Sequence, residues 1–229
     1  MKPPVSFAYA AALFLAAHAA SAATVTLSGN SVDFTFDDAL VGLFGTPTVL
    51  DDTIYFTPTD FDVTSLNGAG LSFTDALVNI SVSPKAGFDL DSVSLFERGT
   101  YILLGSGAKW VEASGQLSAF DLVDPGVFSA ASLVSTPTTT IGLPPNYWDA
   151  TAGIDLDSAT WQAGGGINLT IENFLIASTA VSGSMAFMDK AYIGASFVTS
   201  SVPEPDDYLL MLASIGLVGF VVAHRSNRP

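Results

Sequence analysis

Three pairs of aspartates, each pair separated by a single residue, have a spacing suited to metal binding. In a β-strand, residues i and i+2 project from the same face about 7 Å apart, so each pair would present two carboxylates together. Ca²⁺ takes six to eight oxygen ligands of this kind. The pattern predicts Ca²⁺ as a candidate ligand, with ordinary alternation on a polar strand face as the alternative. The pairs are Asp60 with Asp62, Asp89 with Asp91, and Asp155 with Asp157.

Paired carboxylates also serve glycoside hydrolases, which place one on each side of the scissile bond. Nothing in the sequence marks one acid for a raised pKa, and 22 acidic residues produce pairs by chance. The two histidines, His18 and His224, lie outside residues 23–202, and the chain has no cysteine. Residues 23–202 therefore lack the means for Ser-His-Asp or Cys-His catalysis and the usual zinc, copper and iron ligands. We expect a non-enzymatic function.

Tryptophan offers a second binding chemistry, because an exposed indole presents a flat apolar face to a sugar ring. Trp148 follows Tyr147 in a proline-rich stretch, which makes it the candidate ligand-binding residue for polysaccharide. Trp110 and Trp161 are expected in the core, where most large aromatics of small β-domains lie. Burial in the core is the alternative for Trp148 as well.

Short β-strands are the elements that would position these residues. Val32, Phe34 and Phe36 alternate with polar residues, the period-two pattern of a half-buried strand. Similar segments recur between Gly, Pro, Asn and Asp, which favours an antiparallel β-sandwich of jelly-roll type over residues 23–202. The predicted strands lie near 24–28, 32–36, 53–56, 78–82, 93–97, 100–104, 109–113, 117–123, 167–171, 181–187 and 191–197, with an exposed loop at 135–146.

The charge of the chain is strongly one-sided, with a net value of −15 at pH 7. Residues 23–202 contain 19 of the acidic side chains but only four basic ones. Such a surface repels nucleic acid and anionic lipid and attracts cations, so we expect no nucleic-acid partner. Without cysteine, the domain must be stabilised by packing and hydrogen bonds rather than by disulfides.

The first 22 residues have the pattern of a secretory signal peptide. Lys2 supplies the positive start, and residues 5–17 form an uncharged apolar segment. Ala20 and Ala22 make an A-x-A site, which predicts cleavage by signal peptidase before Ala23. A short transmembrane anchor is the alternative, but the apolar segment is short for a membrane span.

The last 27 residues form a second candidate targeting segment. The Pro203-Glu204-Pro205 turn precedes residues 208–223, which carry no charge and would form a helix about 24 Å long. That length makes a marginal transmembrane helix in a hydrocarbon core of about 30 Å. The tip at 224–229 contains Arg225 and Arg228, which favour the cytoplasmic side and therefore an exported body. The alternative is a buried helix of a globular core.

This tail, on a chain with a signal peptide, resembles the PEP-CTERM sorting signal of Gram-negative bacteria. The resemblance implies processing by exosortase, a membrane transpeptidase or protease that acts near the motif. Pro203, Glu204 and Pro205 would be the recognised motif, and Arg225 and Arg228 the stop-transfer residues. The precursor would sit in the inner membrane and the product at the cell surface or outside the cell.

The sequence departs from the family pattern at Asp206 and Asp207, which insert two charges before the apolar segment and leave the cleavage position open. The segments FTPTDF at 56–61, LFERGTYILLG at 95–105 and IENFLIAST at 171–179 resemble the family's β-rich ectodomains more loosely. Because the family accompanies exopolysaccharide gene clusters, the resemblance implies a matrix or biofilm protein. A carbohydrate- or Ca²⁺-dependent binding module is the alternative function.

Overall fold

The computed structural model describes residues 23–157, 160–202, 211–215 and 217, and it confirms the prediction of an all-β domain. The described residues form fourteen strands, paired antiparallel, and two short 3-10 helices at Asp38–Leu40 and Gly42–Phe44. In chain order the strands are β1 (Thr24–Ser28), β2 (Val32–Asp37), β3 (Thr48–Leu50), β4 (Thr53–Phe56), β5 (Asp62–Leu66), β6 (Gly70–Pro84), β7 (Phe88–Leu104), β8 (Lys109–Asp121), β9 (Phe128–Ser132), β10 (Val134–Ser135), β11 (Gly142–Asp155), β12 (Ile167–Thr179), β13 (Met185–Asp189) and β14 (Tyr192–Ser201).

These strands form two sheets. The first has the order β1-β2-β6-β12-β8-β9. The second has the order β10-β11-β7-β14-β4-β3, and β13 joins it by pairing with both β5 and β7. Strand β7 organises the second sheet, because one edge pairs with β11 while the other pairs with β14 near its start and with β13 near its end. The long strands β6, β7 and β8 alternate between the sheets, so the chain passes repeatedly from one layer to the other.

The core lies between the sheets and follows from the alternation in the sequence. Along β2 every second residue is buried, and β12 alternates in the same way over its whole length. Phe34 of the first sheet meets Phe197 of the second edge to face, with ring centroids 5.7 Å apart. Phe44, in the second 3-10 helix, packs in the same way on Phe56 and on Phe61. The two layers are thus joined by one aromatic-rich apolar interior.

The strands differ from prediction in several places. Strand β8 joins the two strands predicted at 109–113 and 117–123, and β3, β5, β9 and β10 were not predicted. Strand β7 runs unbroken through the two strands predicted at 93–97 and 100–104. The exposed loop predicted at 135–146 is partly wrong, because Gly142 and Asn146 pair with β7 as the start of β11. The register shifts between these two residues, where the prolines lie. Proline cannot donate a ladder hydrogen bond, which is why pairing lapses there and then resumes.

Several predictions concern residues outside the described part of the chain. They include the signal peptide at 1–22 with Ala20 and Ala22, the sorting motif at 203–205, and the tip with Arg225 and Arg228. Ala23 is described and directly precedes β1. Residues 211–215 and 217 are helical and exposed. Among the described residues, no helix has the length and apolar character needed to cross a membrane.

Candidate functional site

A cleft of about 320 Å³ opens at one end of the sandwich, where β7 begins and β8 and β11 end. Of two predicted aspartate pairs, the cleft contains Asp89 and Asp91 together but only Asp157 of the other, since Asp155 does not line it. The polar and aromatic side chains that line it include Asp89, Asp91, Asp121, Asp157, Trp161 and Gln162. The cleft is therefore acidic, with one indole in its wall.

A backbone irregularity places Asp91. Val198 pairs with Ser92 and Thr199 pairs with Leu90, so β14 skips Asp91 and β7 carries one extra residue there. A bulge of this kind re-aims the side chain of the extra residue and increases the local twist. Simple alternation, on which the prediction of a same-face carboxylate pair depended, therefore does not hold at this end of β7.

Asp89 and Asp91 are tied to different neighbours. The carboxylate of Asp89 accepts a hydrogen bond from the backbone N–H of Gly164, in the segment before β12. Asp91 accepts a hydrogen bond of 2.8 Å from the hydroxyl of Ser200, near the end of β14. The two acids thus connect the start of β7 with two other parts of the cleft wall.

Asp121 is the most buried acid of the cleft, with 3% of its surface exposed. One carboxylate oxygen accepts the backbone N–H groups of Val123 and Asp124 at 2.7 and 3.0 Å, and the other accepts that of Gln162 at 3.2 Å. The Asp124 N–H does most to hold the pKa of Asp121 below its usual range, and burial opposes it. Asp121 therefore acts as an anionic clamp that fixes the floor of the cleft.

The third predicted pair lies elsewhere. Asp62 on β5 is opposite Asp189 of β13, which pairs with the far end of β7. With about 3.3 Å per residue, that position is about 30 Å along the sheet from Asp91. In the described part of the chain, no group of three Asp, Glu, His or Cys side chains is arranged to hold a metal ion. Ca²⁺ binding by Asp60, Asp62, Asp89, Asp91, Asp155 or Asp157 stays a prediction.

Trp148 lies in the core, the alternative given for it, whereas Trp110 does not lie where it was expected. Trp148 is 1% exposed, and its indole N–H donates to the carbonyl oxygen of Asp189 at 2.9 Å. A ring buried to this extent presents no face to a sugar. The indole packs against Gly99 on the neighbouring strand β7. Trp110, expected in the core, is 41% exposed on the first sheet. Trp161 is half-buried in the cleft wall, packed against the core.

Sequence reasoning missed Asp121, although a local signal was present. Asp121 precedes the Asp124-Pro125-Gly126 turn, and an aspartate before a turn commonly accepts backbone N–H groups two or three residues ahead. It also missed a buried cluster of three polar side chains, which no local pattern announces because its members lie on three separate elements.

Comparison with protein-family models, with curated proteins and with solved structures gives no significant match to this chain.

Proposed function

We propose that this chain is an exported, non-catalytic surface or extracellular-matrix protein. The observation that carries the proposal is the order of its segments: a signal-peptide pattern at 1–22, a β-rich body at 23–202 and the three-part tail at 203–229. Signal peptidase removes the first segment, and an exosortase-like enzyme of the inner membrane processes the last. The mature body then resides at the cell surface or outside the cell, associated with exopolysaccharide.

The position of the tail relative to the body supports processing. The last strand, β14, ends at Ser201, and the N–H of Val202 donates to the carbonyl oxygen of Gly87 at 2.8 Å. The Pro203-Glu204-Pro205 motif follows at once. A cut at or after the motif would leave every described strand in the product, so the body would keep its fold after processing.

The strand order supports the finer assignment to the jelly-roll type. The pairs β4–β14, β6–β12 and β7–β11 alternate between the second sheet and the first. A jelly roll arises when a ribbon of such antiparallel pairs folds over into two layers.

The experiment that tests the main proposal is the intact mass of the protein recovered from its native cells. The expected product lacks residues 1–22 and everything beyond a cut near 203–205. A variant in which Pro203, Glu204 and Pro205 are replaced by alanine should keep the tail. A variant in which Asp206 and Asp207 are replaced should still lose it. A wild-type product that still ends at Pro229 would contradict the sorting step, and one that retains Lys2 would contradict export through a cleaved signal peptide.

A second function, that of a binding module, is favoured by the acidic cleft. Its carboxylates, Trp161 and Gln162 offer oxygen ligands beside an apolar ring surface, the chemistry of a Ca²⁺-dependent carbohydrate site. If the cleft binds Ca²⁺ or a glycan, the melting temperature should rise with the logarithm of the ligand concentration above Kd. The gain in stability should be about 2.7 kcal/mol at a hundredfold excess of free ligand over Kd. Asp157→Asn should abolish the rise, and Asp155→Asn, outside the cleft lining, should not. A shallow response to ionic strength alone would contradict binding.

A further inference from the structure

Three polar side chains meet inside the apolar core. Glu97 lies on β7 of the second sheet, Asn173 lies on β12 of the first, and Lys190 directly follows β13. Glu97 and Asn173 are fully buried, and Lys190 is 2% exposed. The cluster therefore spans the space between the two sheets, away from solvent.

The contacts of Lys190 bring its amine to the asparagine side chain. Lys190 Nζ donates to Glu97 Oε2 and, at 2.5 Å, to Asn173 Oδ1. Because a carbonyl bond is about 1.23 Å long, Nζ lies no more than about 3.7 Å from Asn173 Cγ. Groups that react with each other in proteins are typically held at about 3–3.5 Å. The amine is thus within about 3.7 Å of an electrophilic carbon.

The surroundings favour a nucleophilic amine. Nζ lies 5.2 Å from the centroid of the Phe61 ring and 5.6 Å from that of Trp148, so aromatic walls exclude water. Burial lowers the pKa of Lys190, and Glu97 opposes this only in part. A lysine ammonium in such a site gives up a proton more readily than one in water. The carboxylate of Glu97, which accepts a hydrogen bond from it, can take that proton.

Two atoms of the cluster have no hydrogen-bond partner. Both are buried: Glu97 Oε1 and Asn173 Nδ2. Buried polar atoms of this kind are rare, because leaving one unpaired forfeits its hydration. A buried ion pair stabilises a fold only when the other donors and acceptors of its groups are also hydrogen-bonded. Stability alone therefore does not explain this cluster.

We propose that Lys190 and Asn173 form an intramolecular isopeptide bond, with Glu97 transferring the protons. The ammonium of Lys190 first gives a proton to Glu97, and the neutral amine attacks Asn173 Cγ to form the new C–N bond. Glu97 then passes its proton to Nδ2 and takes one from Nζ, the C–Nδ2 bond breaks, and ammonia leaves. The products are a secondary amide, one ammonia molecule and a neutral Glu97, so atoms and charge balance without any oxidant or cofactor.

The product accounts for both unpaired atoms. Nδ2 is gone, and the carboxyl group of Glu97 can donate to the new amide carbonyl through one oxygen and accept its N–H through the other. The buried charges of Glu97 and Lys190 are also removed. The bond would tie the first sheet at β12 to the residue that leads into β14, a covalent link in a chain that has no cysteine for a disulfide.

The test is a peptide map of the purified full chain, unfolded and cut with a protease that cleaves before aspartate. The sequence then places Asn173 in the fragment 157–188 and Lys190 in the fragment 189–205. The expected result is one joined species, lighter than the sum of the two fragments by one ammonia molecule, with the link at these residues. Two separate fragments with both side chains intact would overturn the proposal, as would an ammonia loss located elsewhere.

Two variants examine the roles of the residues. Glu97→Gln keeps the shape of the side chain but cannot accept the amine's proton, so its fragments should stay separate. Lys109→Met removes a half-buried lysine of β8, whose amine donates to the carbonyl oxygens of Gly105 and Gly107 outside the cluster, and should leave the link intact. A linked Glu97→Gln protein would overturn the role of Glu97. The wild-type map decides the existence of the bond even if Glu97→Gln does not fold.

Discussion

Replacement of Asp121 by asparagine tests how the floor of the acidic cleft is held. The carboxylate accepts three backbone N–H groups, two from the turn after β8 and one from Gln162 in the segment before β12. Asparagine has nearly the same shape, but only one of its side-chain heteroatoms can accept. Its NH₂ group must then face at least one backbone N–H, so that hydrogen bond is lost. The hydrogen bonds that remain are made to a neutral group and are weaker than those made to the carboxylate.

The size of the effect follows from the number and kind of bonds. Hydrogen bonds to a charged group contribute about 1.5–3 kcal/mol each, against about 1 for neutral ones. One bond is lost and two are weakened, so Asp121→Asn should lower the free energy of unfolding by at least about 2.5 kcal/mol. Because Asp121 is only 3% exposed, water cannot easily replace the missing bond.

Urea unfolding of the wild type and the variant, at several pH values, measures this loss. The pKa of Asp121 is lowered in the folded protein, so its contribution is complete above the ordinary value of 3.8 and is lost as pH falls through the folded value. Asparagine does not titrate. The difference between the two proteins should therefore be constant near neutral pH and shrink below 3.8.

Asp75→Asn, at an exposed acid of the first sheet, serves as the matched control. It should change the stability by less than about 0.5 kcal/mol. If Asp121→Asn were as mild as this control, or if its effect were the same at pH 2 as at pH 7, the description of Asp121 as an anionic clamp would be refuted.

Two further predictions concern packing. Gly99→Ala should destabilise the domain by about 3 kcal/mol or more, because a Cβ there would lie 1.9 Å from the carbonyl oxygen of Asp189. Gly153→Ala is the control. A Cβ at Gly153 would have its nearest neighbour 3.7 Å away, so the stability should change by no more than about 1 kcal/mol. Equal melting temperatures for the two variants would contradict this account of β7. Phe44→Ala should cost about 3–5 kcal/mol, since this fully buried ring packs on two others, and Phe73→Ala, at a ring 65% exposed, should cost far less in urea unfolding.

Local patterns were sufficient to predict most of the strands. In β2 and β12 the apolar residues recur at every second position, and they point to the interior because alternate side chains of a strand leave on opposite faces. The pattern failed where pairing was irregular. The start of β11 contains two prolines and was predicted as loop, because its pairing depends on β7 rather than on its own residues.

The sequence predicted which acids could form the cleft but not how their side chains are placed. The pairs at Asp89 and Asp91 and at Asp155 and Asp157 were visible as spaced acids, but the bulge opposite β14 decides where Asp91 points. The proline-rich stretch left both exposure and burial open for Trp148, and the glycine beside it on β7 leaves room for the ring to lie inside. Neither fact is encoded by neighbours in the sequence, because each arises from a partner strand.

The amino-acid sequence alone determined the all-β class, the acidic character and the pattern of the two terminal segments, because each depends on composition or on residues close together in the chain. Only the tertiary structure brought Glu97, Asn173 and Lys190 into contact. They lie on β7, on β12 and after β13, and they meet because the two sheets stack face to face. A contact between sheets is set by how the layers pack, which no spacing along a single strand can specify.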